Sequence, residues 1–284
     1  MGVTVIKFAI IPNLTRKNAL VVTRNICDTL DKLGASYMFP KEYEKSFKDT
    51  AAEFIQENDA IRFCDIVVTV GGDGTILHSA KKAAMHSKPV LGVNAGRLAF
   101  MAGLEKEEIS MMTELIEGNY RVDERIMLKT TVKHDGIIEN CGYSINDTTV
   151  MRGGEPRICE LKVDLDGKSF NNYLGDGLIF ATPTGSTAYS LSAGGPVVDP
   201  QLEGIILTPV CSHSLFSRPL VFKDTAHLGV KSADGEDIFI SCDGEKPMRV
   251  SSNAKVTIEK ADICAKFIRI KPENFLDVLN YKFL

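Results

Sequence analysis

The stretch Asp65-Ile-Val-Val-Thr-Val-Gly-Gly-Asp-Gly-Thr75 joins an apolar strand to a glycine-rich turn. Residues 65–70 are mostly β-branched and apolar, which is typical of a strand covered on both faces of a parallel sheet. Three glycines in the next four residues let the backbone approach a ligand closely and adopt positive φ, so that N–H groups can cradle phosphate oxygens. The alternative is a tight turn with an exposed aspartate. Because a helix is predicted over 76–86, the turn lies where open α/β sheets bind ligands, which favours a binding site.

Strands and helices alternate on both sides of this stretch. The predicted strands cover residues 5–12, 37–39, 65–70 and 89–93, and the predicted helices cover 15–34, 44–56, 76–86 and 105–117. Such alternation with short connections is typical of a mainly parallel sheet with helices packed on it. The sequence therefore predicts a Rossmann-like α/β domain over residues 1–123.

From residue 124 the pattern changes to short β segments at close spacing. The predicted strands cover residues 127–133, 142–151, 158–165, 178–181, 205–209, 220–222, 226–231, 238–242, 254–259 and 265–270. Asp166-Gly167 lies between two of these segments and is a hairpin signal. These features predict an antiparallel β-sandwich over residues 124–270. A helical period returns afterwards, and we expect the segment 271–284 to pack back on the first domain.

A second polar stretch, Thr182-Pro-Thr-Gly-Ser-Thr-Ala-Tyr-Ser190, follows the short apolar segment 178–181. It carries six hydroxyl side chains and precedes a helix predicted over 188–193. Free N–H groups at a helix start, together with the helix dipole, favour a phosphate or another acceptor-rich group. The alternative is an ordinary capped helix after a proline turn. The density of hydroxyls favours a binding site.

Asp73 is the candidate acid–base residue, because it is the carboxylate within the first glycine-rich turn. An ordinary aspartate pKa of about 3.9 makes a weak base for an alcohol. Phosphoryl transfer, however, mainly requires an oriented hydroxyl and a late proton acceptor. The alternative role is to hold Mg²⁺ together with nucleotide phosphates. The turn matches neither a Walker A loop nor the GxGxxG dinucleotide fingerprint.

Polar residues in three further segments are candidate ligands. The segment 91–103 is a second glycine-rich loop, in which Asn94 is polar and Phe100 can form an apolar wall. Asn146 and Asp147 interrupt a strand-like run, where adjacent polar side chains are costly unless satisfied. An amide can bond an adenine edge in a bidentate way, and a carboxylate can accept from ribose hydroxyls. The alternative for this pair is a bulge or turn with local hydrogen bonds. Asp176 is a third carboxylate, suited to an amide or hydroxyl donor.

Composition excludes several classes of function. The chain has 284 residues, of which 44% are hydrophobic and 25% charged, and its net charge of −4 provides no general field for nucleic acid. Its seven cysteines form no CxxC pair and its five histidines form no HExxH motif, so we assign no metal-ligating residues. No apolar run approaches the ~20 residues that span a bilayer, and the first residues lack a signal-peptide pattern. We expect a cytoplasmic protein that binds neither nucleic acid nor membrane.

The order and spacing of these motifs resemble the NAD kinase family. The resemblance rests on Gly71-Gly-Asp-Gly-Thr75, Gly92-Val-Asn-Ala-Gly-Arg-Leu98, Asn146-Asp147, the run 175–200 and Ser217-Arg-Pro-Leu220. It implies phosphorylation of the adenosine-ribose 2′-hydroxyl of NAD to give NADP, with ATP or polyphosphate as donor and a divalent metal, Mg²⁺. It also implies a homodimer or homotetramer.

The same resemblance assigns roles to individual residues. Asp73 is similar in position to the residue that activates the 2′-hydroxyl. Substrate or nucleotide binding is expected at Gly72, Gly74, Thr75, Asn94, Phe100, Asn146, Asp147, Asp176, Thr184, Thr187, Ala188, Tyr189 and Ser192. This sequence departs from the family pattern at Ala99, where glycine is usual, and at Asp147, where glutamate is usual.

Two other functions compete with NAD kinase activity. A lipid kinase of the diacylglycerol or sphingoid type would share the Gly71–Thr75 turn but would leave the hydroxyl-rich stretch unexplained. A non-catalytic NAD(P)-binding regulator would keep the hydroxyl-rich stretch but would have no need of the Asp73 carboxylate.

Overall fold

The computed structural model describes residues 6–96, 99–154, 158–213, 217–272, 275, 277, 279 and 280, except for the side chains of residues 140 and 141. The chain divides into two compact units. Unit 1 comprises Met1–Glu124 and Ile263–Leu284, and unit 2 comprises Arg125–Asp262. Much of the segment 271–284, which we expected to pack on the first domain, lies outside the described residues. No helix in the described part of the chain is both long and apolar enough to cross a bilayer.

Unit 1 is built on a parallel sheet. Its strands are β1 (Lys7–Pro12), β2 (Ser36–Pro40), β3 (Glu53–Ile55), β4 (Ile66–Gly71), β5 (Pro89–Asn94) and β6 (Leu104–Glu105). Its helices are α1 (Ala19–Lys32), α2 (Glu44–Phe47), α3 (Glu57–Phe63), α4 (Asp73–Ala84) and α5 (Thr113–Glu117), with 3-10 turns at Lys41–Tyr43 and Ile109–Met112. The strand order is β3-β2-β1-β4-β5, and all of these pairings are parallel.

The centre of this sheet is apolar on both faces. All six residues of β4 are buried, and so are five of the six residues of β1. Such strands must be covered on both sides, and α1 buries one side of its cylinder through Val22, Ile26 and Leu30. The carboxyl ends of β1, β4 and β5 are therefore where polar side chains can reach a ligand.

Two helices predicted for unit 1 differ from the structure. The predicted helix 44–56 is wrong, because the observed helix α2 ends at Phe47 and the chain then forms strand β3. Phe47 and Phe54 both stack on the buried ring of Phe39, at 4.5 and 5.9 Å between centroids, so packing against one core ring decides the local structure. The predicted helix 105–117 is interrupted as well: β6 ends at Glu105, and only a 3-10 turn followed by α5 is helical.

Unit 2 consists of antiparallel sheets. Its strands include β7 (Arg121–His134), β8 (Ile137–Ser144), β9 (Asp147–Arg152), β10 (Cys159–Leu165), β11 (Lys168–Gly175), β12 (Gly177–Ala181), β13 (Gly204–Val210), β14 (Leu220–Lys223), β15 (Leu228–Ser232), β16 (Ile238–Cys242), β17 (Met248–Val250) and β18 (Lys255–Arg269). The helical pieces are a 3-10 turn, Thr184–Thr187, and the short helix α6 (Tyr189–Ser192). One sheet has the order β14-β13-β12-β9-β16-β17, and the other contains β11-β10-β15-β18.

An apolar core lies between these two sheets. Val150, Phe180 and Leu207 from the first sheet and Val163 and Val230 from the second belong to one buried cluster. Two sheets that share one core in this way form a β-sandwich.

Three strand predictions in unit 2 need comment. The hairpin at Asp166-Gly167 is confirmed: both residues have positive φ, and Leu165 pairs with Lys168. The single strand predicted over 142–151 is wrong, because a bend at residues 145–146 separates β8 from β9. The strands predicted over 254–259 and 265–270 are one strand, β18. The charged residue Lys260 lies within this strand, and its ammonium group bonds the Asp224 carboxylate at 2.6 Å.

Candidate functional site

The Gly71–Thr75 turn leads directly from β4 into α4 in unit 1. The helix begins at Asp73 rather than at Ile76 as predicted, so Asp73 lies in its first turn. The expected positive φ is absent from this turn, since neither Gly71, Gly72 nor Gly74 has it. Gly71 is required for another reason: a Cβ there would lie 2.6 Å from the Thr75 side chain. At Gly72 and Gly74 a Cβ would meet nothing within 4 Å, so these two residues leave open space above the turn.

The carboxylate of Asp73 is held by the second glycine-rich loop. The backbone N–H of Phe100 donates to Oδ2 at 2.8 Å, and the N–H of Met101 donates to Oδ1 at 2.8 Å. The side chain is half-buried, and each oxygen keeps acceptor capacity beyond these bonds. Asp73 is therefore a fixed, accessible acceptor at the carboxyl end of the sheet.

Other bonds in unit 1 fix the surroundings of Asp73. Asn13, which follows β1, donates from Nδ2 to Thr75 Oγ1 at 3.0 Å. Asn94 is buried and uses both ends of its amide: Nδ2 donates to Glu105 at 2.8 Å, and Oδ1 accepts from the Gly96 N–H at 2.8 Å. These contacts give Asn94 a part in shaping the loop, and its contact with a nucleotide stays a prediction. Phe100 is partly exposed, whereas Ala99 is buried.

In unit 2, Asn146 and Asp147 lie at the bend between β8 and β9. The carbonyl of Asn146 accepts from the Thr182 N–H at 2.9 Å, and the carbonyl of Ile145 accepts from Thr182 Oγ1 at 2.5 Å. A Cβ at Gly185 would overlap the Asn146 carbonyl, so glycine is needed for the two segments to pack. The structure thus brings the Asn146-Asp147 pair against the hydroxyl-rich stretch, as a single binding surface would require.

Asp147 has a perturbed carboxyl group. Its side chain is buried, and burial raises the pKa from 3.8 to about 7. The negative charge of Asp243 accounts for the smaller part of this rise. A buried carboxyl that titrates near neutral pH is typical of a functional site.

The hydroxyl-rich stretch separates into two groups of side chains. Thr182, Ser186 and Ser190 are buried and make internal bonds, such as Ser190 Oγ with Thr208 Oγ1 at 2.9 Å. The predicted ligands remain accessible: Thr184, Thr187 and Ala188 are partly exposed, and Tyr189 and Ser192 are exposed. The helix that follows has only four residues, so the expected contribution of a helix dipole to anion binding is not supported. The N–H groups of Gly185, Ser186 and Ala188 are bonded within the turn, so binding here must come mainly from the accessible side chains.

Asp176 lies between β11 and β12 and is paired with an arginine. Arg152 Nε donates to Asp176 Oδ1 at 2.8 Å, and this bond holds the pKa of the Asp176 carboxyl below its ordinary value. The carboxylate is partly exposed and stays ionised at neutral pH. Its contact with an amide or hydroxyl donor of a ligand stays a prediction.

Several residues that shape the site were not found from the sequence. Asn13, Glu105, Arg152 and Asp243 bond predicted site residues or their backbone. Asn13 could have been found, because it follows a buried parallel strand at the ligand-binding edge of the sheet. Asp243 offered only an Asp-Gly turn signal, and nothing in the local sequence points to Arg152 or Glu105.

The structure contains no protein-only metal cage in its described part. No group of three or more His, Cys, Asp or Glu side chains converges there. Mg²⁺ needs fewer protein ligands than that, because it is commonly held by one or two carboxylates together with substrate phosphates and waters. The single carboxylate in the Gly71–Thr75 turn fits this mode of binding.

Comparison with known proteins identifies the family. The model of the ATP-NAD kinase N-terminal domain matches residues 8–120, and that of the ATP-NAD kinase C-terminal domain matches residues 145–270. An NAD kinase of Acetivibrio thermocellus is 36% identical over 280 residues, which cover 98% of this chain and 96% of the relative. An NAD kinase of Ruminiclostridium cellulolyticum is 36% identical over 279 residues, which cover 97% of each chain. The chain belongs to the NAD kinase family.

NAD kinase structures also share the fold. Yeast NADH kinase complexed with NADH superposes with a TM-score of 0.88 at 24% identity, covering 98% of this chain and 87% of the other. An NAD kinase from Archaeoglobus fulgidus in complex with ATP gives 0.73 at 23% identity, covering 98% and 97%. The predicted family and fold class are thus confirmed. The matches support NAD kinase activity, a phosphotransferase reaction, and do not support the lipid kinase or the non-catalytic regulator.

Proposed function

We propose that this NAD kinase transfers the γ-phosphoryl group of ATP to the 2′-hydroxyl of the adenosine ribose of NAD, giving NADP. The observation that carries the proposal is the Asp73 carboxylate, which two backbone N–H groups fix at the open end of the parallel sheet. ATP is the donor named in the description of the matching family, and polyphosphate is a second candidate donor. The product differs from NAD by one phosphoryl group on a single hydroxyl, so positioning that hydroxyl is the central task of the protein.

In this proposal Asp73 orients the 2′-hydroxyl and accepts its proton. The N–H groups of Phe100 and Met101 occupy one acceptor direction on each carboxylate oxygen, which leaves a defined direction for the hydroxyl. Because the transition state of phosphoryl transfer is loose, the proton leaves late and a carboxylate of ordinary basicity suffices. Gly72 and Gly74 leave the space beside the turn open, so their N–H groups and the hydroxyl of Thr75 would contact phosphate oxygens.

We assign NAD binding to residues of unit 2, most of which are partly or fully exposed, whereas Asp147 is buried. Asn146 would bond the adenine edge through its amide, and Asp147 would bond the adenosine sugar. The remaining residues of unit 2 would form a wall along the dinucleotide. These wall residues are Asp176, Thr184, Thr187, Ala188, Tyr189 and Ser192. Phe100, which belongs to unit 1, is proposed separately as an apolar contact for the substrate.

A divalent metal belongs to the proposed reaction. Mg²⁺ supplies neutralisation of phosphate charge when it is bound with ATP. Asp73 is the residue of the phosphate turn that could hold it, directly or through water. We further propose that the protein acts in the cytoplasm as a homodimer or homotetramer.

The proposal is tested by product analysis. Purified protein is incubated with NAD, Mg²⁺ and either ATP or polyphosphate, and NADP is measured with an NADP-specific dehydrogenase. We expect NADP with ATP, and the polyphosphate reaction decides the second donor. A product phosphorylated at a ribose hydroxyl other than the 2′-hydroxyl, or no NADP with either donor, would contradict the proposal.

A further inference from the structure

Asp243 binds the main chain of the Asn146-Asp147 bend. Its Oδ2 accepts from the Ile145 N–H at 2.9 Å, and its Oδ1 accepts from the N–H groups of Asn146 at 2.8 Å and Asp147 at 3.2 Å. The backbone N–H of Asp243 in turn donates to the Asp147 carbonyl at 2.8 Å. These four hydrogen bonds join one residue to three consecutive residues far earlier in the chain. They give the polar backbone groups of the bend the partners that buried N–H and C=O groups require.

The turn that carries Asp243 is built for this contact. Asp243 and Gly244 both have positive φ, at 53° and 70°, and the Glu245 N–H closes the turn on the Cys242 carbonyl at 3.1 Å. Aspartate tolerates the left-handed region better than most residues, and glycine adopts it freely. The backbone geometry thus places a carboxylate, rather than a longer or branched side chain, opposite the bend.

The other side of the bend is also fixed. The carbonyls of Ile145 and Asn146 accept from Thr182, so the N–H groups bond Asp243 and the carbonyls bond the hydroxyl-rich stretch. With its polar backbone groups used on both sides, the bend cannot rotate without breaking several bonds. What remains available for a ligand is the partly exposed side chain of Asn146, whereas the side chain of Asp147 is buried beside it.

We propose that Asp243 is a positioning residue for NAD, which presets the backbone of residues 145–147 so that the Asn146 side chain meets the adenosine without rearrangement of the bend. This inference rests on the proposed function. Three N–H donors converge on the two oxygens of one carboxylate. The arrangement is similar to an anion-binding nest of backbone N–H groups, with the side-chain carboxylate of Asp243 in place of a bound anion. Because the bend is already ordered, NAD binding does not lose the conformational entropy that ordering a mobile segment would require.

The placement of a second carboxylate here has an electrostatic cost. The charge of Asp243 disfavours ionisation of Asp147, which is already buried. A neutral acceptor would avoid this repulsion but would present fewer acceptor sites to the three N–H groups. The use of a carboxylate is therefore explained by the number of donors it must hold.

The test compares Asp243→Asn with a matched control, Asp234→Asn. Asp234 lies in the same unit and also accepts two backbone N–H groups, from Glu160 and Glu236 at 3.1 Å each, but these bonds do not involve residues 145–147. For both variants KM for NAD, KM for ATP and kcat are measured with the full chain. For Asp243→Asn we expect KM for NAD to rise about tenfold, with KM for ATP and kcat within about twofold of the original values, and we expect no selective change for Asp234→Asn.

A double-mutant cycle with Asn146→Ala adds a readout that a purely structural role would not move. If Asp243 acts through Asn146, the double variant should raise KM for NAD by clearly less than the product of the two single effects. Multiplicative effects, an unchanged KM for NAD, or equal changes in both KM values would overturn the positioning role. Absence of NADP formation by the unaltered chain would instead overturn the proposed function, and the inference with it.

Hydrogen exchange of the unaltered chain covers the case in which Asp243→Asn does not fold. We expect the N–H groups of residues 145–147 to exchange slowly before NAD is added, because Asp243 already holds them. Fast exchange that becomes slow only with NAD would show that the ligand, and not Asp243, orders the bend, and would overturn the inference.

Discussion

The Asp73 carboxylate accepts a hydrogen bond from the backbone N–H of Met101 at 2.8 Å, which ties the first turn of α4 to the loop after β5. Two segments that are far apart in sequence thus share one side chain. A change at Asp73 will therefore affect both the proposed chemistry and the loop that carries Phe100.

Asp73→Asn should abolish turnover while leaving NAD binding within a few-fold. The amide keeps one acceptor oxygen but replaces the other by an NH₂ group, which cannot accept the substrate proton. We expect a loss of kcat of about 10²-fold or more, in line with removal of a general base. Turnover is measured by NADP formation, and binding by calorimetry.

The control for this variant is Asp65→Asn. The Asp65 carboxylate also accepts a backbone N–H, from Lys7 at 2.8 Å, but it lies just before the other end of β4. The Asp65→Asn variant should therefore leave kcat unchanged. Loss of NAD binding in Asp73→Asn, with normal turnover of the complex that does form, would refute the catalytic role.

Gly74→Ala should separate the fold from ligand binding. A Cβ at this position meets nothing within 4 Å and lies in the first turn of α4, so the folded protein should be as stable as before or more stable, by about 0.5–1 kcal/mol. The methyl group would occupy space that the proposal gives to phosphate, so KM for ATP or NAD should rise. Denaturant unfolding and steady-state kinetics measure the two effects, and unchanged kinetics would remove Gly74 from the site.

Gly185→Ala should show the opposite pattern, with a loss of stability. The added Cβ would overlap the Asn146 carbonyl, which is backbone and cannot move independently. Overpacking of this kind costs about 1–3 kcal/mol in the free energy of unfolding. Urea denaturation measures the loss. Gly154→Ala is the control, because a Cβ there meets nothing within 4 Å. Gly194→Ala is less suitable, because Gly194 has positive φ and alanine would be strained there.

Asp147 should make stability depend on pH. Its pKa is about 7 in the folded chain and has its ordinary value of 3.8 in the unfolded chain, so the folded state holds the proton more tightly. This contribution to stability is fully present below the unfolded pKa and is lost as pH rises through about 7. Between about pH 5 and about pH 8, the free energy of unfolding should fall by about 2 kcal/mol relative to Asp147→Asn. An equal pH dependence of both proteins would contradict the assigned protonation.

Metal removal should stop turnover without unfolding the protein. Because no cage of three or more acidic, His or Cys side chains exists among the described residues, Mg²⁺ should contribute to the reaction and not to the fold. EDTA is expected to abolish NADP formation and to leave Tm unchanged. A large fall in Tm would indicate a structural metal site.

The sequence predicted those parts of the site that a local pattern encodes. The strand β4 and the turn after it were found because an apolar run, three glycines and a helix occur in succession. The Asp166-Gly167 hairpin outside the site was found because Asp-Gly is itself a local turn signal. Its second strand, β11, was not recognised because Lys168-Ser-Phe-Asn-Asn172 is mostly polar.

The rest depends on contacts that no local pattern records. The bonds from residues 145–147 to Asp243 join positions 96 to 98 residues apart, so the local sequence predicts a strand through this segment and offers a bulge or turn only as the alternative. The short strand β3 exists because Phe54 packs on Phe39, and its sequence alone suits a helix equally well. Tertiary packing decided the local structure in both cases.

The bend between β8 and β9 has a consequence for substrate choice. Since the main chain at Asn146 and Asp147 is held from both sides, the partly exposed side chain at position 146 can change without moving its Cα. The Asp147 side chain is buried, so exchanging it for glutamate would add one methylene to a packed site. Affinity for the adenosine half of the dinucleotide can therefore be altered at position 146 independently of the stability of the sandwich.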